Sequence, residues 1–355
     1  MADPTDVVRR KYGWGRSKGF SPLYESLAEV ILAEPGMISL LDEAPPTQRT
    51  PSLLFAALHD RVMANPGEPL ARWFPSVTGQ PVPTEDPGPA LRAFFAAHAG
   101  ELRRLIATRK TQTTDPQRAA PLVFAFDRVR SWAGGRRLAL VELGPSAGLL
   151  LRFDKFHYEF PDLGVVGSKD SPVRISCELR GPKKPPLPAS LPEIGTRVGI
   201  DLAPIDVNIP AETRWLEACV LADQVERLAK LRAALALARR HRVAMLRGDF
   251  VERLAGLVAE VPADEYLCLL NSYSLFYLTE DQRISLTQII AGLAGGRDLS
   301  WISVERPGTI PGLIEPAPPA ESFDTFLSVT RFISGTRDDE VLARCHVHGN
   351  WLEWI

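Results

Sequence analysis

Apolar and polar positions divide the chain into two parts. Up to about residue 135, apolar side chains recur at spacings of three and four, the period of helices with one buried face. Ser21 and Pro22 precede the first such segment as a cap and a first-turn proline. A segment rich in proline and glycine, residues 66–89, predicts a long surface connection. The predicted helices are Leu23–Leu32, Ser52–Val62, Ala90–Thr108 and Ala119–Trp132.

From Arg136 onward, apolar runs of strand length alternate with helical patterns, which predicts a mostly parallel α/β sheet. An insertion over residues 158–194 contains a predicted antiparallel pair within Val173–Leu179. We therefore expect a helical N-terminal domain, residues 1–135, that caps a doubly wound sheet domain, residues 136–355. The predicted strands are Leu138–Leu143, Thr196–Asp201, Val243–Arg247, Glu265–Asn271 and Leu299–Glu305. Helices are predicted at Leu149–His157, Leu221–Arg240 and Glu280–Leu293, and a final antiparallel pair at the sheet edge is predicted at Thr325–Ile333 and Val341–Trp354.

Composition and charge narrow the class of protein. The 355 residues are 45% hydrophobic and 24% charged, with a formal net charge of −2, which is typical of a globular protein and gives no support for a nucleic-acid partner. No run approaches the ~18–20 apolar residues that span a bilayer, and the polar N-terminus lacks the apolar core of a signal peptide. The four cysteines are far apart and form no CxxC pair. We expect a cytoplasmic protein that does not contact a membrane.

The end of the first predicted strand carries the strongest candidate chemistry. The run Leu138–Gly148 passes from apolar residues to an acid, Glu142, and then into a turn with Gly144, Ser146 and Gly148. Small residues let a ligand approach the backbone closely, and a helix that begins there offers free N–H groups. Strand, small-residue turn and helix together predict a nucleotide-type ligand at this point.

The same turn has two other interpretations. One is a tight packing turn that binds no ligand. The other is a hydrolase elbow, because Gly144–Gly148 has the form Gly-x-Ser-x-Gly with Ser146 as its nucleophile. Pro145 would distort such an elbow, and the second strand of a hydrolase sheet should not end in a ribose-type acid, as this one does at Asp201. We therefore favour the nucleotide interpretation.

The ends of three later strands fit the same ligand. Asp201 is placed to hold a ribose diol, and Asp249 with Phe250 suits an exocyclic amine and a stacked ring. Asn271 ends the fourth predicted strand. The alternative for Asp201 and Asp249 is that each carboxylate caps the turn or helix that follows it.

Together these strand ends resemble the S-adenosylmethionine-dependent methyltransferase fold, which carries an acid and a glycine in its first turn and a second acid for ribose. The whole chain also resembles an uncharacterised bacterial family of methyltransferase-like proteins, known only as a domain of unknown function. That second resemblance covers the chain nearly end to end. It rests on Ser21–Tyr24, Leu54–His59, Thr108–Thr113 (Thr-Arg-x-Thr-Gln-Thr), Glu142–Gly148 (Glu-x-Gly-x-Ser-Ala-Gly), Arg197–Asp206 and His346–Trp354.

The methyltransferase resemblance implies S-adenosylmethionine as the cofactor and a small-molecule substrate. Two positions depart from the usual pattern: Ser146 stands where methyltransferases carry glycine, and Asp201 follows the first turn much later than in a compact βαβ unit. The residues that the resemblance assigns to the cofactor are Glu142, Gly144, Ser146, Gly148, Asp201, Asp249, Phe250 and Asn271. The resemblance to the uncharacterised bacterial family points to Thr108–Arg118 as the segment that positions the acceptor, with Arg109, Gln112 and Arg118 as the catalytic candidates.

We expect a methyltransferase-like enzyme that acts on a small molecule in specialised metabolism. The alternative is a lyase or cyclase on the same fold that eliminates an anionic leaving group, with Arg109 or Arg118 stabilising the anion. A third hypothesis is a non-catalytic subunit that binds a partner protein.

His346 and His348 alternate on one face of a predicted strand, but no third ligand accompanies them at metal spacing. We therefore expect no metal site.

Overall fold

The structure is a computed structural model, and it describes residues 21–316, 324–333 and 336–355. The described residues form two compact units: the first unit comprises residues up to 114 together with 207–232, and the second comprises 115–206 together with 233–355. None of the helices in these described ranges is long and apolar enough to cross a membrane. The polar N-terminus, on which part of the cytoplasmic prediction depends, lies outside them.

The helices confirm most of the helical predictions. Ser21 caps the first helix as expected, because its Oγ accepts a hydrogen bond from the backbone N–H of Tyr24 at 3.2 Å. In the described residues the helices are α1 (Pro22–Ala33), α2 (Pro35–Ile38), α3 (Pro51–Ala64), α4 (Pro75–Thr78), α5 (Gly88–Thr108), α6 (Ala119–Trp132), α7 (Pro210–Ala218), α8 (Val225–Arg240), α9 (Phe250–Ala259) and α10 (Glu280–Leu293).

Two predictions need correction, one for the connection at residues 66–89 and one for the start of helix α8. Residues 66–89 are not simply a surface connection, because they contain a 3-10 segment, Pro69–Trp73, and helix α4. Leu70, Trp73 and Phe74 are buried in the core of this unit, so apolar side chains hold the segment against the helices. Helix α8 begins at Val225, four residues later than the predicted start.

One large mixed sheet organises the second unit. Among the described residues it has nine strands in the order β5-β12-β11-β10-β9-β8-β1-β6-β7, and a smaller sheet has the order β3-β2-β4. The strands are β1 (Leu138–Leu143), β2 (His157–Phe160), β3 (Gly164–Gly167), β4 (Arg174–Ser176), β5 (Glu178–Arg180), β6 (Ile194–Asp201), β7 (Ala244–Arg247), β8 (Tyr266–Ser272), β9 (Leu299–Glu305), β10 (Thr325–Ile333), β11 (Thr336–Cys345) and β12 (Trp351–Trp354).

The five strands from β9 to β7 are parallel. β1 and β9 are buried at every position, and β8 at every position but its last, which explains their near-continuous apolar sequences. Helices α9 and α10 cover one face, where Leu254 and Ile290 pack with Val141, Leu269 and Trp301. The mostly parallel α/β sheet that the sequence predicts is therefore confirmed. Helix α6 packs on β9, β10 and β11, so residues 119–132 belong to the second unit.

The helix predicted at Leu149–His157 is wrong. A 3-10 segment, Leu150–Lys155, follows the turn, and strand β2 begins at His157. Arg152 departs from helical geometry, with φ −116° and ψ 18°. An α-helix would use the carbonyl of Gly148 to accept the backbone N–H of Arg152. Here the Arg152 guanidinium donates to that carbonyl at 2.5 Å, and the backbone N–H donates to Leu149 instead.

The antiparallel pair predicted within Val173–Leu179 is also wrong. β4 pairs in parallel with β2 in the small sheet, and β5 pairs in parallel with β12 in the large one. Cys177 alone separates β4 from β5, and a hairpin turn needs at least about two residues. At the C-terminal end, β10 and β11 form the expected antiparallel pair. The predicted strand Val341–Trp354 is divided into β11 and β12, and β5 forms the edge of the sheet.

Candidate functional site

The strand order reverses beside β1. From β1 the chain continues through β6 and β7 on one side, and later through β8 and β9 on the other. All five strands are parallel, so their carboxyl ends meet at one edge of the sheet, which we call the carboxyl edge. In open sheets of this kind the crevice at the point of reversal is where ligands bind.

The turn after β1 is built for close contact. Gly144 has φ +77°, and a Cβ at this position would lie 2.5 Å from the Cβ of Ser274. Ser274 is itself fixed, because its hydroxyl donates to the carbonyl of Leu143 at 2.6 Å. Gly148, with φ +64°, closes the turn by donating its N–H to the carbonyl of Pro145 at 2.8 Å. Both glycines are therefore required by backbone conformation, and Gly144 also by space.

Ser146 and Asp201 join the ends of β1 and β6. Ser146 has φ +54°, a conformation that favours glycine. Its backbone N–H donates to Asp201 Oδ2 at 2.8 Å, and its carbonyl accepts the N–H of Ile205 at 3.0 Å. The other oxygen of Asp201 accepts the N–H of Ala203 at 2.8 Å. These hydrogen bonds hold Ser146 in the left-handed conformation, so a serine at this position does not prevent the turn from forming.

Glu142 is buried at the end of β1. The pKa of its carboxyl is raised to about 8, chiefly by burial and also by the nearby charge of Asp201, against the opposing effects of Arg152 and a hydrogen bond from the backbone of Leu151. Its Oε2 has no hydrogen-bond partner in the described part of the chain. The side chain is therefore a largely protonated carboxyl at neutral pH, with one oxygen unsatisfied beneath the turn.

Asp249 and Phe250 follow the end of β7. The carboxylate of Asp249 accepts the N–H of Val251 at 2.8 Å and so caps helix α9, which is the alternative role recognised in the sequence. Phe250 is buried, and its ring lies 3.9 Å from the position of a Cβ on Gly144. The structure therefore brings the ring of Phe250 next to Gly144 in the turn after β1.

Asn271 belongs to a buried polar network at the ends of β8 and β9. Its Nδ2 donates to Glu305 Oε1 at 2.8 Å, and its Oδ1 accepts the indole N–H of Trp301 at 2.7 Å. Glu305 Oε1 also accepts the N–H groups of Ser274 and Leu275, at 2.8 and 2.9 Å. Burial raises the pKa of Glu305 to about 7 against these hydrogen bonds and the charge of Arg118.

Two arginines and a tyrosine lie at the same end of these strands. Arg118 stacks over the ring of Tyr273 at 5.0 Å, and its Nε donates to the carbonyl of Val347 at 3.1 Å. Tyr273 has φ +58°, and its hydroxyl accepts the Nε–H of Arg306 at 3.0 Å. Of the three catalytic candidates, Arg118 is therefore brought to the carboxyl edge, close to Glu305.

Arg109 and Gln112 belong to the first unit. Arg109 forms an ion pair with Glu212 at 3.0 Å and stacks over Trp215 at 5.7 Å. The backbone of Gln112 hydrogen-bonds to Cys219, and burial raises the pKa of that thiol to about 11. Both residues have structural partners within their own unit, and their predicted roles toward an acceptor stay predictions.

Sequence reasoning missed Glu305, Tyr273 and Arg306 as site residues. The available signal for Glu305 was its position as an acid at the end of the apolar run Leu299–Glu305. Tyr273 likewise follows the end of the predicted strand Glu265–Asn271. Arg306 carried no such signal, because its contact with Tyr273 depends on how the chain leaves β8 and β9.

The sequence predicts His346 and His348 on one face of a strand, and this prediction is wrong. Both residues lie in the turn between β11 and β12. The N–H of His348 donates to His346 Nδ1 at 3.2 Å, and His348 Nδ1 lies 3.3 Å from a carboxylate oxygen of Asp115. No cluster of three or more His, Cys, Asp or Glu side chains suited to a metal is found in the ranges that the structure describes.

Comparison with known proteins gives a family and no activity. The model of a family described as an uncharacterized protein conserved in bacteria matches residues 10–354. No curated protein matches the chain. The function therefore has to be argued from the geometry of the carboxyl edge.

Proposed function

The chain belongs to the DUF2332 family of bacterial proteins, and on that premise we propose that it is a small-molecule methyltransferase that binds S-adenosylmethionine at the carboxyl edge beside β1. The proposal includes the finer description of the second unit as a Rossmann-type, methyltransferase-like sheet. One observation carries it: the turn with Gly144 and Gly148 stands where the strand order reverses, and Asp201 ties that turn to β6. This is where open α/β sheets hold nucleotide-type ligands.

The residues present fit such a ligand in part. Each oxygen of Asp201 accepts one backbone N–H, and a carboxylate has about four lone-pair sites, so both oxygens retain capacity for ribose hydroxyls. Gly144 and Gly148 present bare backbone at the turn. The N–H of Ser146 is already committed to Asp201, so the methionine end would have to be bound through other groups.

S-adenosylmethionine, when bound, supplies a methyl group activated by its sulfonium. The protein's own contribution would be to orient the two reactants and to exclude water. Such chemistry does not require a strong general base.

Isothermal calorimetry with S-adenosylhomocysteine tests the proposal through Asp201→Asn. We expect wild type to bind one equivalent and the variant to bind at least about tenfold more weakly, because a hydrogen bond to a charged group contributes ~1.5–3 kcal/mol. Asp170→Asn, an exposed site in the small-sheet region, serves as the matched control and should bind like wild type. Absence of binding to wild type, or equal affinity in Asp201→Asn, would contradict the proposal.

A specific observation favours elimination as a second candidate function. Glu305 has a pKa of about 7, and its Oε2 has no hydrogen-bond partner among the described residues. A carboxyl that titrates near neutral pH is suited to general acid–base catalysis. In this reaction ionised Glu305 takes a proton from carbon, that C–H electron pair forms the double bond, and an anion departs toward Arg118. The arginine would stabilise the developing charge.

Metabolite profiles of cells that lack the chromosomal copy separate the two functions. We expect wild type and Asp170→Asn to restore the missing product, and Asp201→Asn to fail if methyl transfer is the activity. If elimination is the activity, Glu305→Gln should fail while Asp201→Asn succeeds. The product then differs from its precursor by loss of an acid and not by gain of a methyl group. Thermal melting of each purified variant shows whether a failure is due to unfolding.

A further inference from the structure

A cavity in the second unit is lined almost entirely by basic side chains. Its volume is about 180 Å³. It lies where the 3-10 segment Leu150–Lys155, strand β6 and residues 241–243, which join α8 to β7, meet, and none of the residues assigned to the cofactor lines it. The lining residues are Arg152, Lys155, Arg197, His241, Arg242 and Val243.

Arg152 forms the fixed floor of this pocket. It is only 4% exposed, and its guanidinium donates to the carbonyls of His241 at 2.6 Å and Gly148 at 2.5 Å. Ala238 accepts a further hydrogen bond at 3.3 Å. These bonds hold the positive charge in place. Because the side chain is already ordered in the folded protein, it loses little further conformational entropy when a ligand binds.

The pocket has more positive than negative charge. Asp154 binds Arg197 through two hydrogen bonds, at 2.5 and 2.8 Å, and Lys155 at 3.0 Å. It is one acid among four cationic side chains. Glu142 also faces Arg152, but burial raises its pKa to about 8. Burial lowers the pKa of Arg152 to about 10; the charge of Glu142 opposes this shift, and the neighbouring Arg197 adds to it.

Arg242 supplies donors that the described residues do not use. It is exposed, and within the described ranges its side chain makes no hydrogen bond or ion pair. Lys155 retains N–H groups beyond its bond to Asp154, because an ammonium has three. The rim of the pocket therefore offers a guanidinium fork and an ammonium above the buried charge of Arg152.

We propose that this pocket binds the phosphate group of a small molecule. Phosphate matches the site because its oxygens accept bidentate hydrogen bonds from arginine and its double charge balances several cations. Arg152 also connects the pocket to the turn after β1, since one guanidinium nitrogen binds Gly148. A ligand in the pocket would therefore stabilise, by linkage, the folded state in which Arg152 holds this turn.

Phosphate binding at constant ionic strength tests the inference with a matched pair of variants. Arg242→Gln removes the unpaired guanidinium, whereas Arg240→Gln removes an exposed arginine two residues away that does not line the pocket. We expect calorimetry with inorganic phosphate and glycerol 3-phosphate to show saturable one-to-one binding to wild type and to Arg240→Gln. The affinity of Arg242→Gln should fall at least tenfold.

The comparison of ligands identifies the source of the phosphate group. Tighter binding of glycerol 3-phosphate than of inorganic phosphate supports a phosphorylated metabolite, and the reverse order supports free phosphate. Equal losses in both variants, or heats that do not saturate, would overturn the proposal, because they indicate general charge attraction. The result does not depend on S-adenosylhomocysteine binding, so the two proposals can fail separately.

Discussion

Replacing Gly144 with alanine is expected to lower the free energy of unfolding by about 2–5 kcal/mol. A Cβ would lie 2.5 Å from the Cβ of Ser274, and overpacking of this kind costs ~1–3 kcal/mol. The left-handed conformation, φ +77°, adds about 1–2 kcal/mol for any residue with a Cβ. Ser274 cannot move aside easily, because its hydroxyl is bonded to Leu143 and its N–H to Glu305.

Gly134→Ala is the matched control for this variant. Gly134 has φ +64°, and a Cβ there would meet no atom within 4 Å. It shares the backbone conformation without the steric clash, so its loss should be about 1–2 kcal/mol. Urea denaturation of the two variants measures the difference. Equal losses would contradict the account of a turn packed tightly against Ser274.

Glu142→Gln is expected to remove a large part of the pH dependence of stability. The pKa of Glu142 is about 8 in the folded protein against 4.5 for an ordinary glutamate. Between these values the folded state binds a proton that the unfolded state has released. The contribution of Glu142 is therefore fully present below pH 4.5 and is lost as the pH rises toward 8. The loss amounts to about 1.4 kcal/mol per pH unit.

The free energies of unfolding of wild type and Glu142→Gln should diverge by about 4 kcal/mol between pH 5 and pH 8, in favour of the variant at the higher pH. Glu305 and the other titrating groups occur in both proteins and cancel in the comparison. Glu260→Gln, at an exposed position, should track wild type throughout. Urea denaturation at three pH values is sufficient. Parallel curves for Glu142→Gln and wild type would show that Glu142 is already ionised when the protein is folded.

The sequence predicts the central sheet well because buried parallel strands are apolar at nearly every position. The bounds of β1 and β9 match the predicted strands residue for residue. The helix after β1 was predicted wrongly because three consecutive leucines fit a helix and a 3-10 segment equally well. The deciding interaction is the bond from Arg152 to the carbonyl of Gly148, and no local pattern shows it.

The candidate site was predictable only as far as strand ends define it. Glu142, Asp201 and Asn271 follow apolar runs, so their arrival at one edge follows from a parallel sheet. The hydrogen-bond partners of those side chains could not be predicted from the sequence. The three hydrogen bonds to Glu305 Oε1 join residues 30 or more positions apart, and they depend on the path of the chain after β8. The basic pocket likewise joins three separate segments.

We propose the carboxyl edge beside β1 as the binding site of an S-adenosylmethionine-type ligand. Amide hydrogen exchange with and without saturating S-adenosylhomocysteine tests its location directly. We predict slower exchange in peptides that cover the turn 142–152 and the end of β6 at 198–206, with little change in β10 and β11. Binding that leaves both segments unchanged, or protects only other parts of the chain, would contradict the claim.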